Sequence, residues 1–443
     1  MNQMRPRSGT QISRYEALAA CDALRTIGPA SLLIESLPGE LPHLLAIGLP
    51  HEVSSHPAAP YAAIHKLPAS VLLPGLVNAH AHLDLTDVGP QPFDSERGFA
   101  AWADMVRTSR PTSEDAIRSA VRRGIQLSLA GGVVAIGDIA GAPAGRPTLT
   151  PLQTLRDSPL WGVSFAEFFG IGRHYPATLE RLPHLIETLA GLNSPNATLK
   201  AGIQPHAPNT VDLRVYTLAV QLAAARGLPI STHLAESEEE RRFVAEGTGP
   251  QRSLLEGLGI WDDSLLERVG RGLDAVEHLS AVLAITPMLV AHVNDCDDRA
   301  LETLAKTGTR VAYCPRASAY FGAERRFGPH RYREMLAAGI PVCLGTDSII
   351  NLPETDRISV LDEMRFLYSR DRTDPHQLVR MATLHGASAL GLDPQCFTFE
   401  AGSRLAGLIA VDVGGGVNAS PLTSVLVSTI PPRLLVGAQA GSE

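Results

Sequence analysis

The stretch VLLPGLVNAHAH, residues 71–82, decides how the rest of the chain is read: an apolar run ends on two ionisable residues, His80 and His82, two positions apart. At the period of a strand both imidazoles project to the same side. Seven further runs share this texture: GGVVAIGD (131–138), LWGVSFAEF (160–168), LKAGIQPHAP (199–208), LPISTHLAE (228–236), MLVAHVND (288–295), TRVAYCPR (309–316) and IPVCLGTD (340–347). Near-continuous apolar runs alternating with helical segments are the pattern of parallel strands covered on both faces. Eight of them between Val71 and about Leu390 predict an α/β fold, a (β/α)8 barrel of the TIM type, in which the strand C-termini gather on one face. The strand ends are expected at His80, Asp138, Glu167, His206, His233, His292, Cys314 and Asp347, with gaps of 22 to 59 residues that each leave room for a crossover.

Outside the barrel, residues 1–70 hold short apolar stretches broken by prolines, and residues 395–443 carry FTFEAGSRLAGLIAVDV and SVLVSTI, both strand-like. The expected organisation is 1–70 and 395–443 as the two parts of a small β-rich domain, with 71–394 as the barrel between them. The 443 residues are 44% hydrophobic and 19% charged with a net charge of −8, enough for a large core and against wholesale disorder. Lysine occurs only at Lys66, Lys200 and Lys306, none preceded by glycine, which excludes a Walker A loop and a lysine-rich nucleic-acid or membrane patch. Five scattered cysteines without a CxxC fit a reducing compartment. With no apolar leader and no run of 18 apolar residues, the expected location is cytoplasmic, with no membrane and no nucleic acid as partner. Self-association into a homo-oligomer stays open.

A closed barrel brings His80, His82, His233, His292 and Asp347 to one rim. Two or three imidazoles and a carboxylate, with a position left for water, are the ligand set of a hydrolytic Zn²⁺ or Fe²⁺ centre, which lowers the pKa of bound water from 15.7 to about 7. Glu236 follows His233 by three residues and directly precedes Ser237-Glu238-Glu239-Glu240, read as a capping box with Ser237 as N-cap, Glu240 at N3 and Glu238 paired with Arg242. Glu236 therefore stands on the rim, outside the acidic first turn.

PGLVNAHAHLDL, HLAE (233–236), LVAH (289–292) and LGTDS (344–348) resemble, in this order, the amidohydrolase superfamily, and specifically its branch of cytosine, guanine, S-adenosylhomocysteine, methylthioadenosine and aminodeoxyfutalosine deaminases and s-triazine chlorohydrolases. The resemblance covers about residues 71–412. It implies that His80, His82, His233 and Asp347 hold one divalent ion, Zn²⁺ ahead of Fe²⁺, and that Glu236, His292 and Asp347 act on substrate and water. Binuclear members bridge two metals with a carboxylated lysine at the end of strand four. Here that strand ends at His206, and Lys200 lies six residues earlier, about 20 Å away.

The implied reaction is hydrolytic deamination of an aminopurine-type compound, a small heterocycle such as aminodeoxyfutalosine, S-adenosylhomocysteine or methylthioadenosine. Glu236 protonates a ring nitrogen while Asp347 and His292 orient and deprotonate the attacking water. Hydrolysis at another sp² C–X bond, as by a chlorohydrolase, is the alternative within the enzyme class. A non-catalytic barrel scaffold is the alternative outside it. Substrate contacts are expected from His206 in QPHAPNT, from Trp102 in the insertion after strand one, from Arg173 after strand three and from Ser348. The ten remaining histidines are read as structural or surface residues. Absence of HExxH, GxSxG and an HxE…PCxxC signature sets aside zincins, serine hydrolases and the other zinc deaminase fold.

Overall fold

The computed structural model of the chain describes residues 10–194, 197–414 and 420–437. The first nine residues of the 1–70 segment, and residues 415–419 and 438–443 of the 395–443 segment, lie outside the described residues.

The N-terminal stretch forms β1 (Gln11–Cys21), β2 (Thr26–Ile27), β3 (Ala30–Ser36), β4 (His43–Gly48) and β5 (Ala63–Pro74). The middle of the chain supplies eight short strands. They are β6 (Leu76–Ala81), β7 (Val133–Ala140), β8 (Trp161–Phe168), β9 (Leu199–Pro205), β10 (Ser231–Leu234), β11 (Leu289–His292), β12 (Arg310–Tyr313) and β13 (Val342–Leu344). Each of the eight apolar runs thus carries a strand. In the first run Gly75 separates β5 from β6, so Val71–Pro74 belong to the sheet before it. A Cβ on Gly75 would stand 2.5 Å from a methyl of Val134, so only glycine lets the chain pass.

These eight strands are parallel and follow chain order, β6-β7-β8-β9 in one sheet and β10-β11-β12-β13 in another. An isolated parallel bridge stands at each seam, Ile203 to Ile230 and Ala81 to Asp347. One buried cluster draws on both sheets, with Val77, Ala79, Val163 and Phe165 meeting Leu289, Ala291, Ala312 and Cys343. Helices fill the gaps between strands, and some start on side-chain caps: Ser113 accepts from Ala116 N–H ahead of Glu114–Ala130, and Asp212 from Arg214 N–H ahead of Leu213–Ala225. The long gap after β6 holds the helix Gly98–Ser109, and that after β10 holds Glu238–Glu246 and Pro250–Gly257. Among the described residues no helix is long and apolar enough to cross a membrane.

A separate seven-stranded sheet has the order β15-β14-β5-β1-β3-β4, with β2 on β1, where β14 is Gly407–Asp412 and β15 Arg433–Gly437. Both ends of the chain therefore meet in one sheet. The stretch SVLVSTI departs from expectation: Pro421–Val427 is a helix, not a strand. The reason is local, because Ser420 accepts from Thr423 N–H and Pro421 supplies a preset first helical residue.

Candidate active site

His80 lies on β6 and His82 one residue past it, while His233 is on β10, His292 ends β11 and Asp347 follows β13. The structure brings all five together. The ligand atoms of His80, His82 and His233 lie within 4.8 Å of one another, and so do those of His80, His292 and Asp347. His82 Nε2 is 3.3 Å from His233 Nε2, and Asp347 Oδ1 is 3.4 Å from His82 Nε2 and 3.9 Å from His80 Nε2. Glu236 Oε1 stands 3.6 Å from His292 Nε2.

The first and last parallel strands hold this group in place. Asn78 Nδ2 donates to Thr346 Oγ1 at 2.8 Å and its Oδ1 accepts from Thr346 N–H at 3.1 Å, while His80 C=O accepts from the N–H of both Thr346 and Asp347. The backbone is strained where the chemistry lies. Ala235, His292, Val293 and Asp347 all have positive φ (53°, 74°, 53° and 58°), a region that non-glycine residues occupy at a cost of about 1–3 kcal/mol each when other contacts enforce it.

Burial, followed by the neighbouring imidazoles, holds His80, His82 and His292 well below the usual histidine range, and pushes His233 down to about 3. They are neutral at physiological pH, with lone pairs available. His233 Nδ1 is 3.0 Å from His206 C=O, an arrangement in which Nδ1–H donates and Nε2 is left bare toward His82. Both ring nitrogens of His80, Nδ1 of His82 and Nε2 of His292 are buried without a hydrogen-bond partner among the described residues. An unsatisfied buried polar atom costs about 1–3 kcal/mol, so a cluster of bare imidazole nitrogens beside a carboxylate fits a divalent cation. Asp347 is pushed up to about 7 by burial, and Glu236 well above the carboxylate range by burial and then by Asp347.

Glu236 sits where expected, in the turn before the helix Glu238–Glu246. Ser237 Oγ accepts from Glu240 N–H at 3.2 Å as the cap predicts. The Glu240 side chain does not reach back to Ser237. It accepts from the N–H of Ala235 and Glu236 at 3.0 and 2.8 Å, because the left-handed Ala235 aims both groups at it. Glu238 pairs with Arg326, and Arg242 instead with Glu246.

The expected substrate contacts are placed unevenly. His206 is half-buried beside the cluster, Nδ1 bonded to Thr210 Oγ1 at 2.7 Å and Nε2 3.9 Å from Glu167 Oε1. Trp102 joins an aromatic wall with Phe99 and Phe321. Ser348 is buried and its hydroxyl donates to Asn351. Arg173 is exposed on the turn Gly172–His174, its N–H bonded to Ile260 C=O. Lys200 is the second residue of β9, at the end opposite His206.

Sequence reasoning missed a buried charge network under the site. Arg110 Nη1 is 3.0 Å from Asp84 Oδ2 and 3.4 Å from Glu167 Oε2. Asp138 accepts from Leu83 N–H and Ser164 Oγ. Burial raises Asp84 to about 6 against the pull of Arg110, and burial with Asp84 raises Asp138 to about 7. The signal was present in Asp138 and Glu167, acids ending buried strands with no assigned task. His330, read as structural, bonds through Nε2 to the carbonyl of the strained His292 at 2.8 Å and stacks on Tyr313.

A model of the amidohydrolase family matches residues 71–432. The chain is 29% identical over 361 residues to an aminodeoxyfutalosine deaminase of Deinococcus radiodurans, covering 75% of this chain and 76% of that one. It is 27% identical over 380 residues to a 5-methylthioadenosine/S-adenosylhomocysteine deaminase of Moorella thermoacetica, covering 77% and 73%. The crystal structure of Helicobacter pylori aminofutalosine deaminase superposes with a TM-score of 0.72 at 22% identity over 97% of this chain and 99% of that one, a likeness of fold.

Proposed function

The chain belongs to the amidohydrolase family and is a hydrolase of non-peptide C–N bonds in cyclic amidines, and from that premise we propose that it deaminates an aminopurine-type nucleoside of the aminodeoxyfutalosine, methylthioadenosine or S-adenosylhomocysteine kind. The observation that carries the proposal is the convergence of His80, His82, His233, His292 and Asp347, with Glu236 against His292. We read the two parallel sheets as one closed eight-stranded barrel that starts at β6, a few residues after the expected boundary at 71 because Val71–Pro74 belong to β5, and runs to about residue 394, since the chain-order pairing continues across both seams. The strands β1 to β5, β14 and β15 then form the small β-rich unit, contributed by the two segments expected at 1–70 and 395–443.

His80, His82, His233 and Asp347 are the residues that would hold a single divalent ion, Zn²⁺ ahead of Fe²⁺. Such an ion supplies acidity, bringing a water molecule's pKa from 15.7 toward about 7. The protein's own groups do the rest. Glu236, kept protonated by burial and by Asp347, donates to a ring nitrogen and makes the neighbouring amino-bearing carbon electrophilic. Asp347 and His292 orient the attacking water and take its proton. Glu236 then assists proton delivery to the departing amine, so that water and the aminopurine give the oxo product and ammonia. His206 faces the ring with Nε2, its other nitrogen being held by Thr210.

The test is ammonia release by the metal-replete protein from S-adenosylhomocysteine, methylthioadenosine, adenosine, aminodeoxyfutalosine, guanine, cytosine and aminotriazines, with chloride release from a chlorotriazine measured alongside. Release from one purine nucleoside is the expected result. Silence across the nucleosides, or release of chloride from a chlorotriazine instead, overturns it.

A further inference from the structure

Glu236 Oε1 and His292 Nε2 stand 3.6 Å apart on two stretches of left-handed backbone. Glu236 follows Ala235 at φ 53°, and His292 at 74° is followed by Val293 at 53°. Non-glycine residues hold such conformations only where surrounding contacts enforce them. Backbone bonding supplies part of that enforcement: Val293 N–H donates to Leu234 C=O and Asp295 N–H to Ala235 C=O, so the turns after β10 and β11 stay tied to each other.

Two side chains with no part in the chemistry supply the rest. Asn294 Nδ2 donates to the Glu236 carbonyl at 3.0 Å, and His330 Nε2–H donates to the His292 carbonyl at 2.8 Å. Each peptide carbonyl of the pair is thus held by one side-chain N–H, and each donor is itself held. Ser318 Oγ donates to Asn294 Oδ1 at 2.7 Å, which orients the amide with its NH₂ group toward Glu236. The His330 ring lies on Tyr313 at 3.7 Å between centroids and 14° between planes, and the Tyr313 hydroxyl accepts from Arg370 at 3.1 Å. Asn294 comes from the turn after β11, Ser318 from the helix Pro315–Tyr320, and His330 from the turn between the helices Ala323–Phe327 and Tyr332–Ala337. All three line one cavity of about 20 Å³, room for about one water.

We infer that His330 and Asn294 are positioning residues for the proton transfers, His330 fixing the peptide that aims the His292 imidazole and Asn294 the peptide that aims the Glu236 carboxyl. The inference rests on the roles that the deaminase reading gives to Glu236 and His292. A peptide that rotates carries its side chain with it, and misplacing a reacting group by about 1 Å costs roughly 100-fold in rate. The N–H of His330 is what this role requires. A residue that only filled space beside Tyr313 would require the ring and not the N–H.

The experiment separates the ring from the N–H. His330→Phe keeps a ring on Tyr313 and removes the donor, while His330→Gln keeps an N–H donor near the place of Nε2 and removes the ring. Ser318→Ala, the mildest change, frees the Asn294 amide to turn. kcat and KM are measured for ammonia release from methylthioadenosine and adenosine by the metal-replete proteins, and crystal structures are compared for wild type and His330→Phe. His330→Phe should lower kcat roughly 10- to 100-fold with KM within about threefold, and His330→Gln should bring kcat back to within about fivefold of wild type. Ser318→Ala should lower kcat about 3- to 10-fold, again with little change in KM. In the His330→Phe crystal, His292 should leave its left-handed conformation or its ring should move away from Glu236. Near-wild-type kcat in His330→Phe together with a loss in His330→Gln assigns His330 to packing and overturns the inference. A rise in KM alone overturns it too, as does a His330→Phe structure with Glu236 and His292 unmoved. Unchanged kcat in Ser318→Ala removes Asn294 from it. No ammonia from the wild type overturns the deaminase reading, and the crystal comparison then decides the inference by itself.

Discussion

Arg110 offers the sharpest perturbation of the buried network. Its Nη1 lies 3.0 Å from Asp84 Oδ2 and 3.4 Å from Glu167 Oε2. At an effective dielectric of about 20 each contact is worth about 5 kcal/mol gross, and desolvation of the ions offsets most of that. Arg110→Met removes the one cation and leaves Asp84, Glu167 and Asp138 facing one another, a change that typically costs about 3–5 kcal/mol. The sign with pH follows from the carboxylates. Asp84 and Asp138 already have raised folded values of about 6 and 7, and without the guanidinium they rise further. The folded variant then binds protons more tightly than its unfolded chain, so its deficit is larger at pH 8 than at pH 5.5. Urea unfolding of the metal-replete proteins at both pH values measures this. A loss under about 1 kcal/mol at pH 8, or an equal loss at the two pH values, refutes the reasoning. Gly141→Ala is the control without a charge change, since a Cβ there would stand 1.1 Å from Arg110 Nη1 and must expel the guanidinium.

Glu236→Gln should keep metal content and unfolding midpoint and lower kcat by roughly 10²- to 10⁴-fold, the usual worth of a general acid; near-wild-type turnover removes Glu236 from the reaction. His82→Ala should lose bound metal and activity together, measured by elemental analysis after dialysis, and full metal retention contradicts the ligand set. Asp138 is raised from 3.8 to about 7, so the folded state holds a proton that the unfolded chain gives up, and stability falls as pH rises from about 4 to about 7 by at most about 4 kcal/mol, then levels. Asp138→Asn keeps an acceptor for Leu83 N–H and a partner for Ser164 and should flatten that slope; an unchanged slope between pH 5 and 7.5 assigns the dependence elsewhere.

The eight parallel strands and the imidazole cluster were legible because each signal is local: an apolar run and the ionisable residue that closes it occupy a dozen positions. Glu236 could be separated from Glu238 to Glu240 because a cap residue stands between them. The Arg110 network was legible only in part, since Asp138 and Glu167 stood out as strand-end acids while Asp84 and Arg110, scattered with them over 84 positions, each alone read as an ordinary charge. The helix Pro421–Val427 was misread because VLV has strand character, while Ser420 and Pro421 set the backbone before those side chains count. Arg173 followed the position after strand three and not the direction of its turn, which faces solvent.

The seam between β6 and β13 has a consequence for the chain's biogenesis. Asn78 and Thr346, which clamp it, are 268 residues apart in sequence. Closing so long a segment costs entropy that grows with the logarithm of its length, and contacts of this span form late in folding. A nascent chain therefore has His80 and His82 long before Asp347 emerges, and the proposed ligand set is incomplete until 347 of the 443 residues have been made. On the proposed ligand set, ion uptake would report on closure of this seam, and an ion bound only by the closed molecule would pull that closure forward by mass action.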